Sequence, residues 1–424
     1  MRVLILGLNY APEPVGIGPY TTGVAEALTA AGHQIEVVTA KPYYPAWRTD
    51  PAAGRGWRRE EGDGVALVRC PIYVPRRPSA LTRLIHHASF ALAAVGPMLR
   101  AVRRRPDLVL VIAPSLLSVP VARMAAWLAG VPLWVHVQDL EVEAAFATGV
   151  AGTGGAPGWA LAIERWLLGR PDCVSTISPQ MAAKLVAKGI PAARVRELRN
   201  WAEDAFQPRD NGAAYRAAWG LGDAQVALYS GNIAAKQGIG VLIDAARALA
   251  HREDIAFVIC GDGPNRAALA AAAAGLANVH LHPLQPADRM GDLLALASVH
   301  LLPQLPGAAD LVLPSKLANM LGSGRPVVAT AAPGTGLYAE VEGCGVTVAP
   351  GDAMALARAV ADLIDDPHHR TALGEAARAR AAQRWRRGPL LEQFVTTAAA
   401  LVPPLRDDRA LDSPTAQAIK GKQV

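Results

Sequence analysis

Residues 1–21 have the sequence MRVLILGLNYAPEPVGIGPYT, in which a short apolar run leads through a proline-rich turn to two glycines. The apolar run predicts a buried strand over Arg2–Leu6, and the residues after the glycines predict a helix over Tyr20–Ala31, ended by Gly32. A strand joined to a helix by a glycine turn begins a Rossmann-like βαβ unit. The run is too short for a signal peptide and has no small-residue cleavage site, so we interpret it as the first strand.

The same alternation of strand and helix patterns continues through most of the 424 residues. It pauses around Arg199–Gln207 and then restarts, which predicts two Rossmann-like, doubly wound α/β domains in tandem. We expect an N-terminal domain over 1–200, a C-terminal domain over 201–383, a helix at 384–402 that crosses back to the first domain, and a disordered tail at 403–424. Ligands bind at the carboxyl ends of parallel strands, so a cleft between the domains is the expected site.

Composition excludes several classes of protein. Apolar residues make up 51% of the chain and charged residues 18%, which excludes a mostly disordered protein. The net charge of +6 permits an anionic ligand or a membrane surface and does not call for nucleic acid. The four cysteines are far apart in sequence, which indicates a reducing cytosol rather than a disulfide framework.

One long apolar segment, residues 84–102, is interrupted by two histidines, a proline and an arginine. A membrane-spanning helix needs about 20 nearly uninterrupted apolar residues, so this segment does not predict one. Arg103, Arg104 and Arg105 follow it directly. They either complement the dipole at the end of a helix or, together with the apolar segment, rest on an anionic membrane.

Gly16 and Gly18 lie where the first strand turns into the first helix. Free backbone N–H groups at a helix start favour an anion such as a phosphate. The alternative is a glycine turn that serves chain reversal only. The spacing is not G-x-G-x-x-G, because Thr21 occupies the sixth position, so the fingerprint of a nicotinamide-binding site is missing.

His136 lies at the carboxyl end of the predicted strand Leu133–Val137, and Asp139 follows that strand. At the carboxyl end of a strand, a histidine and a carboxylate could bind hydroxyl groups or carry protons. The alternative is a helix-capping Asp139 and a histidine whose hydrogen bonds are satisfied within the core.

The second half repeats the arrangement with two glycine-containing loops, 230–238 and 261–264. Small residues after a strand let backbone N–H groups approach a diphosphate, and Lys236 could neutralise it, unless it is simply a solvated loop lysine. Gly261, Asp262 and Gly263 fit the close approach of a base or ribose, or a tight turn.

Residues 307–319 form the richest polar segment, GAADLVLPSKLAN. Pro314 and Ser315 mark a helix start, and Lys316 and Asn319 share one face of that helix. They could reach phosphate and ribose hydroxyls; the alternative is a surface lysine and a capping serine. His280 and His282 could ligate a metal from one strand face, but a third ligand is missing, so no metal site is predicted.

Taken together, these segments resemble the retaining glycosyltransferases of the GT-B fold, family 4, and within them the colanic acid biosynthesis fucosyltransferase family. The resemblance runs in order from residue 1 to about residue 330. The segments that carry it are 9–21, 42–45, 59–62, 69–75, 136–143, 174–178, 200–201, 230–238 and 307–319.

The resemblance implies a nucleotide-sugar bound mainly by the C-terminal domain and an acceptor bound by the N-terminal domain. It implies transfer by front-face attack, in which the leaving phosphate assists, without an enzymic nucleophile, a cofactor or a metal. The catalytic residues that it implies, together with our own assignment of Lys316, are His136, Asp139, Lys236 and Lys316. The implied donor-binding residues are Gly16, Gly18, Ser230, Gly231, Asn232, Gly261, Asp262, Gly263, Ala309, Asp310, Leu313, Ser315 and Asn319.

Two features of the sequence depart from the family pattern. Asn232 stands where the family has an arginine, and the family's acidic pair is broken, with Asn319 at its second position and Leu311, beside Asp310, near its first. We hypothesise that Lys316 supplies the missing positive charge and that Asp310, or the backbone beside it, holds sugar hydroxyls.

The resemblance also implies partners and location. We expect a GDP- or UDP-sugar as donor, with GDP-fucose among the candidates. We expect a polyprenyl-diphosphate-linked oligosaccharide as acceptor. We also expect a cytoplasmic protein, peripheral at the inner face of the membrane, in exopolysaccharide biosynthesis. The alternatives are a nucleotide-sugar 2-epimerase of the same fold and a noncatalytic nucleotide-sugar-binding protein; a nicotinamide dehydrogenase ranks last because its glycine fingerprint is missing.

Overall fold

The computed structural model describes residues 1–14, 16–54, 56–76, 79–113, 116–140, 158–202, 212–234, 237–305 and 313–402. Within these ranges the chain forms two β-sheets, one in each half, with helices packed on both faces. The prediction of two Rossmann-like α/β domains is therefore confirmed.

The N-terminal sheet is built from buried, β-branched runs flanked by more polar edges. Its strands are β1 (Arg2–Gly7), β2 (Gln34–Ala40), β3 (Arg58–Gly62), β4 (Val65–Cys70), β5 (Leu108–Ala113), β6 (Leu133–Val137), β7 (Cys173–Thr176) and β8 (Val195–Glu197). Their order is β3-β4-β2-β1-β5-β6-β7-β8, and β3 alone among them pairs antiparallel. The sequence pattern did not predict β3, because its residues RREEG lack an apolar alternation and lie at an exposed edge.

Helices cover both faces of this sheet. They are α1 (Gly18–Ala30), α2 (Ala80–Val102), α3 (Val119–Ala129), α4 (Gly158–Leu168) and α5 (Pro179–Ala187). One core lies between the sheet and the layer α2 to α5, and a second core lies between the opposite face and α1.

The C-terminal sheet is parallel throughout, with the strand order β11-β10-β9-β12-β13-β14. Its strands are β9 (Gln225–Ser230), β10 (Ile255–Cys260), β11 (Val279–His282), β12 (Val299–Leu302), β13 (Val327–Thr330) and β14 (Gly345–Val348). Its helices are α6 (Ala213–Ala218), α7 (Gly240–Ala248), α8 (Arg266–Ala272), α9 (Met290–Leu296), α10 (Lys316–Gly322), α11 (Gly336–Val341), α12 (Ala353–Asp365) and α13 (Pro367–Arg384).

The last described helix, α14 (Arg387–Leu401), packs on α1 of the N-terminal domain. Its Phe394 lies in the core of that domain, stacked on Trp134 at 5.8 Å between ring centres. The chain thus passes between the domains twice, at Trp201 and again just after Trp385. The two passages are joined, because the Ala202 N–H donates to the Trp385 carbonyl at 2.8 Å.

Ion pairs reinforce this junction. The Arg199 guanidinium contacts Glu340 of α11 at 2.6 Å, and Arg384 of α13 contacts the same carboxylate at 2.7 Å. Glu340 is buried, so its charge is compensated from both sides of the junction. The predicted disordered tail, 403–424, lies outside the described residues. In the part of the chain that is described, no helix is long and apolar enough to cross a membrane.

Candidate active site between the domains

The carboxyl ends of the two sheets meet at Tyr44, in the loop after β2. Desolvation raises the pKa of the Tyr44 hydroxyl, and the side chain of Asn232, in the loop after β9 of the other domain, opposes this rise. The Tyr44 ring lies against Gly16, where a Cβ atom would be 3.1 Å from the Tyr44 Cε1 atom. Gly16 has a φ of +75°, so both its backbone and its neighbour require glycine. The Tyr44 ring therefore contacts the predicted donor loop at Gly16, on the side of the cleft that faces Asn232.

The loops after β9 and β10 pack backbone against backbone. A Cβ at Gly261 would lie 1.9 Å from the Gly231 carbonyl oxygen, so no side chain fits there. The Ile233 N–H donates to the Asp262 carbonyl at 2.8 Å, and Gly263 sits against the Ile233 carbonyl. The predicted pair of glycine loops thus forms one continuous surface with little side-chain cover, suited to close approach by a ligand.

The Arg266 side chain, at the start of α8, joins the loop after β10 to the end of β11 through hydrogen bonds. Its Nη1 donates to the carbonyl oxygens of Gly261, at 2.5 Å, and His282, at 2.8 Å. The ends of β10 and β11 are therefore held in register. His282 itself stacks on Trp219 with 3.8 Å between ring centres.

Lys316, the first residue of α10, lies beside the β9 loop. Its Nζ is 3.7 Å from the centre of the Tyr229 ring, and a Cβ at Gly231 would be 3.3 Å from the same nitrogen. The Tyr229 hydroxyl in turn donates to the Asn232 carbonyl at 2.7 Å. Desolvation lowers the pKa of Lys316 from 10.5 to about 7. An ammonium group that is stabilised by one π face and short of solvent is well placed to receive an anion.

Other residues of the 307–319 segment line the junction. Leu313 packs against the apolar cores of both domains, and Ser315 borders a small cavity that Ile177 and Asn200 line from the N-terminal side. The Ser315 side chain makes no capping hydrogen bond, so the alternative of a capping serine is wrong. Asn319 lies partly buried on the same helix.

On the N-terminal side, a buried carboxylate shapes the cleft. Glu13 Oε1 accepts hydrogen bonds from the backbone N–H groups of Tyr43 and Tyr44, at 2.9 and 3.0 Å. Its Oε2 accepts from Asn9 Nδ2 at 2.8 Å. Desolvation raises the pKa of Glu13, against the opposing effect of these donors. The carboxylate thereby ties the loop after β1 to the loop after β2 and fixes where the Tyr44 ring stands.

His136 lies at the end of β6 and is 1% exposed. Its Nδ1 is 2.9 Å from Ser175 Oγ, and Gln138 Nε2 is 2.9 Å from its Nε2. Gln138 also pairs reciprocally with the Asn200 amide, at 3.0 and 2.8 Å. Burial lowers the pKa of His136 to about 3, so the ring is neutral. Both ring nitrogens are hydrogen-bonded to residues of the same domain, which favours the alternative of a core histidine with satisfied hydrogen bonds. A role beside the transferred sugar stays a prediction.

The remaining predicted residues divide into two groups. Asp139 is partly buried and interacts electrostatically with the Tyr44 hydroxyl, which places it at the same cleft. Lys236, Ala309 and Asp310 lie outside the described residues. Among the described residues, no cluster of three or more metal-ligating side chains occurs.

Sequence reasoning missed Tyr44, Glu13 and Tyr229 as members of this site. Tyr44 could have been found, because it follows a predicted strand at the edge where the other site residues lie. The positions of Glu13 and Tyr229 depend on contacts between loops far apart in sequence, which no local pattern reveals.

Comparison with known proteins identifies the family. Residues 15–201 match the family described as "Glycosyl transferase 4-like domain", and residues 224–366 match "Glycosyl transferases group 1". The chain is also 40% identical, over 390 residues, to WcaI of Escherichia coli K12, named as a colanic acid biosynthesis glycosyl transferase; the match covers 89% of this chain and 95% of WcaI. This chain is a glycosyltransferase of that family.

Solved structures agree on the fold of the enzyme. It superimposes on sucrose-phosphate synthase of Thermosynechococcus elongatus with a TM-score of 0.72 at 20% identity, covering 95% of this chain and 99% of that one. It superimposes on HepE of Anabaena, solved in complex with UDP-glucose, with a TM-score of 0.69 at 17% identity, covering 95% and 100%. These likenesses confirm the GT-B architecture of the glycosyltransferase, and the family match confirms the predicted enzyme class over the epimerase and binding-protein alternatives.

Proposed function

We propose that this glycosyltransferase moves a sugar, with retention of configuration, from a nucleotide-sugar to a lipid-linked oligosaccharide in the assembly of a colanic acid-like exopolysaccharide. The 40% identity to WcaI supports the class of polysaccharide. GDP-fucose is the donor to test first, on the resemblance to the fucosyltransferase family, with UDP-sugars as the competing class. The lipid-linked acceptor would carry a polyprenyl diphosphate.

The single observation that supports donor binding is the position of Lys316. Its ammonium lies beside the glycine surface formed by the loops after β9 and β10, and no ion pair joins it to a carboxylate of the described residues. A nucleoside diphosphate leaving group gains negative charge as the sugar departs. A cation held in a poorly solvated site stabilises that charge strongly, because little water screens it.

The proposed chemistry needs no metal, because the Lys316 ammonium beside the glycine loops would supply the charge opposite the diphosphate. We therefore expect enzyme treated with EDTA to keep its turnover. A loss of activity that Mg²⁺ or Mn²⁺ restores would contradict this part of the proposal.

Donor identity is tested by thermal unfolding with GDP, UDP, GDP-fucose, UDP-glucose and NAD. A ligand that binds only the folded state raises the melting temperature. We expect stabilisation by GDP and GDP-fucose that is lost in Lys316→Ala. A response to UDP compounds alone would remove fucose from the proposal, and no response to any nucleotide would overturn it.

The proposed lipid-linked acceptor requires access to a membrane, and the outer face of the N-terminal domain has the matching chemistry. Among the described residues, every strongly exposed large apolar side chain except Met354 lies in this domain. Leu92 of α2 is 74% exposed, Trp127 of α3 73% and Trp159 of α4 70%. All three helices belong to the same layer of the fold.

Two helices of this layer carry apolar stripes at helical spacing. On α2 the exposed residues are Leu81, Leu84, Ile85, Leu92 and Leu99, and on α4 they are Trp159, Ile163 and Trp166. Tryptophan is enriched where proteins meet the headgroup region of a bilayer. An apolar patch of this extent marks an interaction surface rather than ordinary exposure.

The charge of this layer favours an anionic membrane. Residues 64–138 contain nine arginines and one acidic residue, Asp107. Arg100, Arg103 and Arg123 are exposed, and the Arg170 guanidinium lies over the Trp166 ring at 5.0 Å. Basic residues near apolar anchors attract the anionic leaflet. We propose that α2, α3 and α4 rest on the inner face of the cytoplasmic membrane.

Vesicle flotation tests the membrane face. We expect the enzyme to bind vesicles that contain phosphatidylglycerol and to be released by high salt. The double variant Leu92→Glu/Trp166→Glu is expected to weaken binding by about tenfold or more, because two charges would enter the interface. Met354→Glu, an equally exposed apolar position of the other domain, serves as the matched control. Equal binding by the double variant and the control would overturn the proposed face.

A further inference from the structure

Three cations lie together at the carboxyl ends of β2 and β4, on the face of the N-terminal sheet that α1 covers. In the strand register Arg69 of β4 pairs with both Thr39 of β2 and Arg58 of β3, so these side chains share that face. Lys41 follows β2 directly, and its N–H still donates to the Cys70 carbonyl at 3.1 Å, so it continues the alternation two residues after Thr39. We call Lys41, Arg58 and Arg69 the basic cluster.

Most of the charge of the basic cluster is buried, and little of it is compensated. Lys41 is 3% exposed and Arg69 is 8% exposed. Arg69 Nε donates to Glu60 Oε2 at 2.8 Å, and Arg58 contacts the same carboxylate at 3.4 Å. Lys41 Nζ donates to the Gly54 carbonyl at 2.6 Å and forms no ion pair with a described residue. Three cations therefore share one ion-paired carboxylate.

The Arg69 guanidinium also has one donor left over. Its Nη2 donates to the Ala11 carbonyl at 2.7 Å, in the loop after β1. Its Nη1 is buried and makes no hydrogen bond within the part of the chain that the structure describes. The Glu13 carboxylate of the same loop is engaged by Asn9 and by two backbone N–H groups of the loop after β2. A buried donor without an acceptor indicates a partner that these residues do not supply.

The position and chemistry of the basic cluster fit an anionic ligand of the cleft. The carboxyl edge of the N-terminal sheet is the edge that faces the other domain, and Arg69 holds the same loop that carries Glu13. Arg58 is exposed and Glu60 is half-buried, so the cluster has an open side. The planar donor fork of an arginine matches the oxygens of a phosphate or a carboxylate, and a lysine adds a point charge.

We propose that the basic cluster binds an oxyanion of the acceptor, either a phosphate or a carboxylate group. This inference rests on the proposed function, because it assigns the anion to the acceptor. The cluster belongs to the N-terminal domain and Lys316 to the C-terminal domain, so the two domains hold one anionic group each. The acceptor could supply the anion from the diphosphate of its lipid carrier or from an acidic sugar of its glycan.

Calorimetry with pyrophosphate and with glucuronate tests the basic cluster, with neutral glucose as the uncharged comparison. The titrations use full-length Lys316→Ala enzyme, so that the proposed donor site does not contribute. We expect at least one of the two anions to bind, and the tighter one identifies the source. Lys41→Gln should raise its Kd about tenfold, because a charge-assisted hydrogen bond is lost from a poorly solvated site. Arg58→Gln should raise it about threefold, because its charge is screened by solvent.

Arg252→Gln is the matched control. It removes the same charge from the C-terminal domain, where Arg252 is paired with Asp254 and Asp365, and it should leave the Kd unchanged. Melting temperatures check folding, and the exposed Arg58 position keeps the test valid if Lys41→Gln does not fold. The inference is overturned if neither anion binds, or if both cluster variants bind as the control does.

Failure of the proposed function gives a different result. A wild-type enzyme that binds no nucleotide would overturn the proposed function. The anion titrations contain no nucleotide, so they would still decide whether the basic cluster is a binding site. In that case anion binding would support the site, and its assignment to the acceptor would be overturned.

Discussion

His136 in the N-terminal domain and Lys316 in the C-terminal domain were both predicted as catalytic residues in polar segments, His136 at the end of β6 and Lys316 at the start of α10. In both, burial lowers the pKa, to about 3 for His136 and about 7 for Lys316. They differ in their partners. Both nitrogens of His136 are engaged by Ser175 and Gln138, whereas the Lys316 ammonium faces the Tyr229 ring and a bare glycine loop. Burial with complete hydrogen bonding indicates a structural group, and burial with an open face indicates a binding group.

The largest effect is expected for Lys316→Ala. Removing a cation that faces the departing diphosphate should lower kcat by about 100-fold or more, as for other groups that stabilise developing charge. Initial rates with the identified donor measure this, and the melting temperature serves as the folding control. A near-normal rate would show that Lys316 does not supply the missing charge.

The pH dependence of nucleotide binding is expected to be the next largest effect. In the ligand-free enzyme Lys316 loses its proton near pH 7, and a bound diphosphate favours the protonated form. Binding above pH 7 should therefore take up a proton, and affinity should fall by up to about tenfold per pH unit. Calorimetry in two buffers of different ionisation enthalpy measures the uptake.

The same lysine has the opposite effect on stability. The unfolded chain keeps the Lys316 proton up to pH 10.5, so between pH 7 and 10.5 it binds more protons than the folded chain. The contribution of this group to stability therefore rises with pH while nucleotide affinity falls. Lys316→Ala should reduce the pH dependence of both stability and nucleotide affinity. If both pH dependences are unchanged in that variant, they arise from other groups.

The smallest effect on turnover is expected for His136→Phe. It should lower the free energy of unfolding by about 1–3 kcal/mol, because Ser175 and Gln138 lose a buried partner. The fall in kcat should stay below about tenfold, well under that of Lys316→Ala. Chemical denaturation and initial rates on the same sample measure the two quantities. An unchanged free energy of unfolding together with a large fall in kcat would instead indicate that His136 takes part in the reaction.

The sequence predicted the fold well because parallel, buried strands have a strong local signature. Runs such as Leu108–Ala113 are apolar throughout and rich in β-branched residues, and the helices between them set the right-handed crossovers. The edge strand β3 was missed because its charged residues pair only with β4. Helix ends shifted by a residue or two, as at α1, which was predicted over Tyr20–Ala31 and forms over Gly18–Ala30.

The candidate site was predicted less completely. The glycine loops at 231 and 261–263 were found because close backbone approach requires glycine. Tyr44 was not, because its ring contacts Gly16, which lies in a different loop far away in sequence. The sequence likewise did not show that both ring nitrogens of His136 are hydrogen-bonded, because one partner, Ser175, lies on the neighbouring strand.

The two chain passages at Ala202 and Trp385 have a mechanical consequence. One backbone hydrogen bond joins the two passages, and Arg199 and Arg384 both form ion pairs with Glu340 beside them. The domains are therefore connected along one short line. Two chain passages that lie side by side form a hinge, so we expect the domains to open and close by rotation about this line rather than by sliding past each other.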